Sequence, residues 1–479
     1  MSDSSMSSGN NSMSSRSSNN RSNESGSLNG SSLDGTVNDN SGNSNNRTLE
    51  RVKTLLIIIL LASSLALGWQ TGLFSELSAY LPLFGGTSGF RDTTGLAEKG
   101  STVKKEAARP LYIVISNENG ERCAVKYNTE MRNNMYERTS SIFSEALGSV
   151  SQLSEVSEDE WCAALSGQGI FYEYPTPVRL SILNGWLGAH KADDDYGNRM
   201  TKRIFVAFGE DRSRVYFQDA ETNLFFGADT ASTSGKAQEL GVFAANDAMF
   251  AYEISELLAV NAPFSIITND STHPVVLASQ AGNTDEILGL TLEAAGHGNE
   301  NNAIIYDTDK LVCIGTQFRI TVDRLGQAIY RRTEGWEAGI EPGVYSFSNS
   351  EYNESELIEL GRIFISETIA AKCGGAEVFY ESSEMSEDGA YTVFFGYYIA
   401  GGRVHLFEDG HAAKITFIKG NIIEAELRFR AFTATEETIR LIPERQTLAA
   451  AGGEYLLNYS DSGFELLTPE WIRMDMRDE

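Results

Sequence analysis

The side chains with most chemical capacity in this 479-residue chain converge on one short stretch, where His405, Asp409 and His411 surround Glu408-Asp409-Gly410. Two imidazoles and a carboxylate form a donor set that suits zinc. The same spacing is that of a hairpin tip whose charges are solvated, and this plainer reading is preferred. Asp193, Asp194 and Asp195, followed by Gly197 and Asn198, offer oxygen ligands but lack the alternating spacing and distal Glu of a calcium loop. They read as a charged surface loop. Cys123, Cys162, Cys313 and Cys373 lie far apart with no C-x-x-C, so a zinc site is not expected. They are either buried thiols or, outside the cytoplasm, paired, for example Cys123 with Cys162. No G-x-S-x-G, phosphate-binding loop, G-x-G-x-x-G or H-E-x-x-H occurs. No residue receives a catalytic, cofactor-binding or metal-binding assignment, and the expectation is a protein that is not an enzyme.

A different capacity lies in FFGYYIAGGRVHLF, residues 394–407. Alternation along the strand puts Tyr391, Val393, Phe395 and Tyr397 on one face and Phe394 and Tyr398 on the other. One set packs on the helix expected over 354–373. The other faces solvent, a neighbouring domain or a partner, which makes Phe394 and Tyr398 candidate partner contacts.

The elements that must position these residues begin at Pro110. LYIVI (111–115) is a β-branched run and predicts a strand. Apolar residues at helical spacing predict a helix over 129–147, and Ser157 with Glu160 three residues on marks the start of a second. Residues 170–183 read as extended because of Pro175 and Pro177. Three strands follow from Arg203 to about Ala228. A further helix is expected over 248–258 and another over 286–292, then strands at 303–307, 310–315, 318–323 and 327–332. A helix over 354–373 precedes a meander, with strands from Tyr391, Val404, Ala412 and Ile422, a last helix over 436–450, bent or started at Pro443, and two closing strands. Helix, antiparallel sheet, helix, twice over, defines an α+β fold.

Ahead of this body stands a different composition. Residues 1–46 contain 17 Ser and 11 Asn and no Ile, Phe, Tyr or Trp, too little apolar surface to offset the entropy of ordering. Residues 54–75 carry no charge and would span about 33 Å as a helix, enough for a bilayer core. Arg47, Arg51 and Lys53 precede this run, which by the positive-inside rule puts the N-terminus in the cytoplasm and the rest outside. A cleaved signal peptide is the competing reading, and it exports the same body. Ala62, Ser63, Ala66 and Gly68 form a small-residue strip suited to helix contacts in a membrane. The expected organisation is a disordered leader (1–50), a transmembrane helix (51–75), a flexible stalk (76–109) and three α+β domains (110–245, 246–340 and 341–479). The net charge of −28 falls wholly after residue 53, and a field of that sign disfavours nucleic acid.

FRITVDRLGQAIYRR, YTVFFGYYIAGGRVHLF with AAKITFIKGNIIEAELRFRAF, and the closing LLTPEWIRM resemble the YycH/YycI-type regulators, membrane-anchored accessory proteins of the essential Gram-positive cell-wall two-component system. The likeness lies in the C-terminal two thirds. It implies PepSY-like sheets in the last two domains and a non-enzymatic role at the cell membrane. The implied partner is a sensor histidine kinase, a sister membrane-anchored regulator, or both. A binding module for a wall polymer or peptide, using the aromatic hairpin, is the alternative, and a divergent envelope hydrolase a third.

Overall fold

The computed structural model describes residues 104–474 apart from 190–193, 210–211, 231–239, 241–242, 255–261, 299, 301, 334–352, 388, 408–409, 452 and 464. The leader, the uncharged run with Ala62, Ser63, Ala66 and Gly68, and the stalk up to residue 103 lie outside the described residues. Among the described residues no helix is long and apolar enough to cross a membrane. The described part of the expected stalk, 104–109, is built into the body. Ala108 is buried, and its carbonyl accepts a 2.8 Å hydrogen bond from the Tyr174 hydroxyl.

The fold is mixed α+β. Its first part is a seven-stranded antiparallel sheet of β1 (Tyr112–Ser116), β2 (Arg122–Val125), β3 (Leu153–Val156), β4 (Gly169–Arg179), β5 (Met200–Phe208), β6 (Ser213–Gln218) and β7 (Phe225–Asp229), in the order β2-β1-β4-β5-β6-β7-β3. Strand alternation sends Ile113, Ile115, Ile170 and Val206 to one face and Val114, Phe171 and Phe205 to the other. The first face is covered by α1 (Thr129–Gly148) and α3 (Leu180–Leu187), the second by α2 (Glu158–Leu165). The expected cap forms at Ser157, which accepts from the Glu160 N–H, and Asn128, not foreseen, does the same for Met131 at the start of α1.

Two local expectations fail here. Residues 180–183 are helical, not extended, because the last proline, Pro177, lies three residues before α3, and Gly188, at φ 66°, closes that helix in the left-handed conformation. Residues 248–258 are not a helix where described: β8 (Met249–Phe250) pairs with β9 (Ile266–Ile267), and a single 3-10 turn follows.

The remaining strands form an eleven-stranded sheet and a small three-stranded one. Along the chain they are β10 (Thr272–Gln280), β11 (Ala303–Tyr306), β12 (Lys310–Ile314), β13 (Phe318–Asp323), β14 (Gln327–Arg332), β15 (Glu377–Met385), β16 (Tyr391–Ile399), β17 (Gly402–Leu406), β18 (Ala413–Ile418), β19 (Asn421–Arg428), β20 (Arg430–Arg440), β21 (Tyr455–Asp461), β22 (Leu466–Leu467) and β23 (Pro469–Arg473). The large sheet runs β11-β12-β13-β14-β19-β18-β16-β17-β21-β23, with β15 also on β16, and β20-β10-β22 is the small one. β14 pairs with β19 and β10 with β20, so the boundary expected near residue 340 runs through shared sheets. β17 and β21 pair in parallel, the exception in an otherwise antiparallel sheet. Buried residues of α4 (Thr284–Ala294) cover β12 to β14, and those of α5 (Glu354–Glu367) cover β16 and β18.

Of the helix expected over 436–450, bent or started at Pro443, the part after that proline forms: β20 continues to Arg440, its backbone satisfied by β10, and α6 (Glu444–Ala451) begins just after Pro443. The hairpin between β16 and β17 turns on Ala400 and Gly401, both at positive φ, one residue before the expected Gly401-Gly402.

Candidate functional site

A break in the pairing of β15 with β16 creates the most charged point of the interior. Tyr380 pairs with Phe395 and Ser382 with Phe394, leaving Glu381 as an extra residue, a β-bulge. The bulge turns the Glu381 side chain into the sheet, over Gly396, where a Cβ would lie 2.3 Å from its Oε1. Gly396 therefore makes room for the carboxylate. Four donors meet it there. Arg403 donates from Nε to Oε1 at 2.5 Å and from Nη2 to Oε2 at 2.8 Å. The Tyr398 hydroxyl donates to Oε1 at 3.1 Å, and His411 Nδ1 lies 2.7 Å from Oε2. A carboxylate only accepts, so His411 carries its proton on Nδ1.

Burial raises the Glu381 carboxyl, but the His411 hydrogen bond and the charge and hydrogen bonds of Arg403 outweigh it and hold the group down at about 2. At neutral pH it is a permanent anion with no proton to give. The cluster is a pin that fastens β15, β16, β17 and the residue-411 turn to one another.

These contacts settle where the expected residues lie. Tyr398 is 1% exposed, its ring edge-on to Phe379, so it is not a surface contact. Phe394 is half-buried, with its ring 4.7 Å from that of His411. His411 is committed to Glu381, and Asp409 of the conceivable zinc set lies outside the described residues. Among the described residues no group of three or more His, Cys, Asp or Glu side chains could hold a metal ion. Asp195 pairs with Arg199 at 3.2 Å on the surface. The four cysteines are free thiols. Cys123 faces the core under α1 while Cys162 sits on α2 across the sheet, so the pairing considered for them does not form.

A second set of charges, not foreseen from the sequence, joins the seven-stranded sheet to the elements after residue 353. Arg109 and Arg132 both bind Glu377, Arg179 Nε donates to Glu354 at 2.5 Å, and Trp186 Nε1 donates to Glu359 at 3.0 Å. Lys202 and Arg203 bind Glu454, and Lys126 donates to Glu444 at 2.5 Å beside Tyr127. Burial raises the Glu454 carboxyl, and the charges of Arg203 and Lys202 bring it far below the ordinary carboxylate range. Next to Lys126 and Glu444, His273 is fully buried between the rings of Tyr127 and Trp471, and among the described residues neither of its nitrogens has a hydrogen-bond partner. Burial lowers its pKa. Along this junction a cleft of about 240 Å³ is lined by Arg109, Tyr174, Trp186, Glu377, Tyr380 and Phe395 among others. The sequence signal for such pins was an Arg or Glu within an aromatic strand, which demands a partner without naming it.

The fold and site define an α+β protein of large antiparallel sheets in which clustered charges serve as internal fasteners. Among solved structures it is similar to the crystal structure of YycH from Bacillus subtilis, with a TM-score of 0.47 and 12% identity over 77% of this chain and 93% of that chain. No family model matches the sequence, and no curated protein matches it.

Proposed function

We propose that the protein is a membrane-anchored accessory regulator of a two-component sensor histidine kinase controlling cell-envelope homeostasis, with its body outside the cytoplasm. The observation that carries this reading is the uncharged run 54–75 behind Arg47, Arg51 and Lys53, followed by a strongly acidic body. The motifs shared with YycH/YycI-type regulators supply the signalling context. The geometry adds support: the strongest cluster of titratable groups, around Glu381, is fully occupied in holding strands together. Regulation then acts through protein–protein and transmembrane-helix contacts, with Ala62, Ser63, Ala66 and Gly68 on the helix side.

Replacing residues 54–75 with an unrelated transmembrane helix of equal length should change kinase output, read from a target promoter. Unchanged output removes the helix-contact mechanism. Protease added to intact cells should digest the body and spare the Ser/Asn leader; the reverse pattern overturns the topology. Full-length protein solubilised in detergent should co-purify a histidine kinase or a sister regulator. A second reading, an extracytoplasmic binding module for a wall polymer or peptide, draws on the cleft beside Arg109 and not on the enclosed hairpin. Binding of wall fragments that weakens in Arg109→Gln would favour it.

A further inference from the structure

Sheet edges are ready templates for strand addition, and folded proteins blunt them with charges, prolines or covering groups. Three edges here are blunted. The outer side of β2 is capped by Asn246, whose side chain accepts from the Ala124 N–H at 3.0 Å and donates to its carbonyl at 2.7 Å. β23 starts with Pro469 and carries Glu470 and Arg473. β20 presents Glu436, Glu437 and Arg440. Among the described residues β11 has none of these devices. It is the terminal strand of the eleven-stranded sheet and reads AIIY, with Ile304 45%, Ile305 51% and Tyr306 70% exposed. Ile314, across the β11–β12 pair, is 43% exposed.

The hydrogen-bond phase of this edge is fixed. The Asp307 N–H donates to the Lys310 carbonyl at 2.9 Å, so residues 307, 305 and 303 turn their backbone groups toward β12. Ile304 and Tyr306 turn theirs outward, and among the described residues no backbone partner meets them.

We propose that β11 is a dimerisation edge on which a second copy of this chain pairs antiparallel, across a two-fold axis at Ile304. Only even-numbered residues can bond across such an edge, so two registers centre the uncharged run Asn301 to Tyr306. The one centred on Ala303 sets Asn302 against Ile304. The one centred on Ile304 sets Ile304 against Ile304, Ala303 against Ile305 and Asn302 against Tyr306. No like charges meet in that register, and Ile305 is covered from the other copy. At longer range two acidic bodies repel, so pairing strengthens with added salt. The dimer stands independently of the regulatory reading.

The test uses the full-length chain in detergent and sedimentation velocity over a range of concentration and salt. The wild-type chain should be dimeric, more tightly at higher salt. Ile304→Pro removes the outward N–H of each copy and leaves the bonds to β12, so it should weaken the dimer about tenfold or more with the circular dichroism spectrum and melting unchanged. Mild oxidation should link Ile304→Cys into a covalent dimer and leave Tyr306→Cys unlinked. A wild-type chain monomeric at every salt concentration overturns the proposal, as does a dimer indifferent to Ile304→Pro. Equal cross-linking of the two cysteine variants overturns it as well, and decides the matter should the proline variant fail to fold.

Discussion

Two hairpins of the eleven-stranded sheet, β16–β17 and β11–β12, are built from similar side chains and have opposite surroundings. β16 is flanked by β15 on one side and by β17 and β18 on the other, α5 lies over it, and the Tyr112 hydroxyl donates to Gly401 at its tip. Its aromatics are enclosed, and even a carboxylate and a guanidinium, Glu381 at 4% and Arg403 at 7% exposure, are drawn inside with it. Among the described residues β11 has one neighbouring strand, and Ile304 and Ile305 are about half exposed. What decides exposure is the number of neighbours the topology supplies, and apolar content alone does not. An enclosed strand must then satisfy every polar group it carries, whereas an edge strand leaves half its backbone unspent.

The contrast can be broken at its strongest point first. Arg403→Met leaves Glu381 buried without its main partner and should cost about 3–5 kcal/mol in urea unfolding, part of it recovered by adding Glu381→Gln. Full stability of the single variant would mean the cluster is solvated in solution. Gly396→Ala forces a methyl group into the carboxylate's space and should cost about 1–3 kcal/mol.

Acid sharpens the same contrast. Glu381 titrates lower in the fold than in the unfolded chain, so its contribution is present above about pH 4.5 and is lost as pH falls toward 2. His273 is held neutral by burial, so its contribution is present above about pH 6.5 and is lost as pH falls below that. Unfolding midpoints measured from pH 8 to pH 2 should fall in two stages, and His273→Phe should flatten the upper one alone. On the solvent side of the β14–β19 pair Arg331 binds Glu424 at 2.5 Å but is 61% exposed. Arg331→Gln should change stability by less than about 1 kcal/mol, and a larger loss would show that this face is less open than its exposure implies.

Much of the fold was legible because local rules and tertiary packing agreed. β1, β5 to β7, β11 to β14, α1, α2 and α4 fall within a few residues of their expected places, each marked by an apolar period or a capping residue. The failures fall where pairing overrides pattern. Thr435-Glu436-Glu437-Thr438 reads as polar helix, yet β10 offers it a ladder and its outward side chains stay in solvent. β10 itself was missed because Pro274 disguises it, and the pairing slips by a bulge just after that residue. β15 was missed because Glu381 and its serines look like loop, although the glutamate is what the bulge exists to aim. Of the candidate site residues, the pairing of Arg403 with Glu381 could not be read at all, since the partners are 22 residues apart and related only through strand order. Tyr398 was placed on the correct face of its strand, but that face is covered by Phe379 and β15.

The strand order also sets a schedule for the newborn chain. Every strand of the seven-stranded sheet lies within residues 112–229, so that sheet can close while the remainder is still being made. The two later sheets cannot: in the eleven-stranded one β17 waits for the parallel strand β21, and in the three-stranded one β10 waits for β20, some 150 residues downstream. Until the last tenth of the polypeptide arrives, the aromatic strands of the larger sheet stand partly uncovered, and this interval is when a chaperone or a protease would find the protein most open to capture.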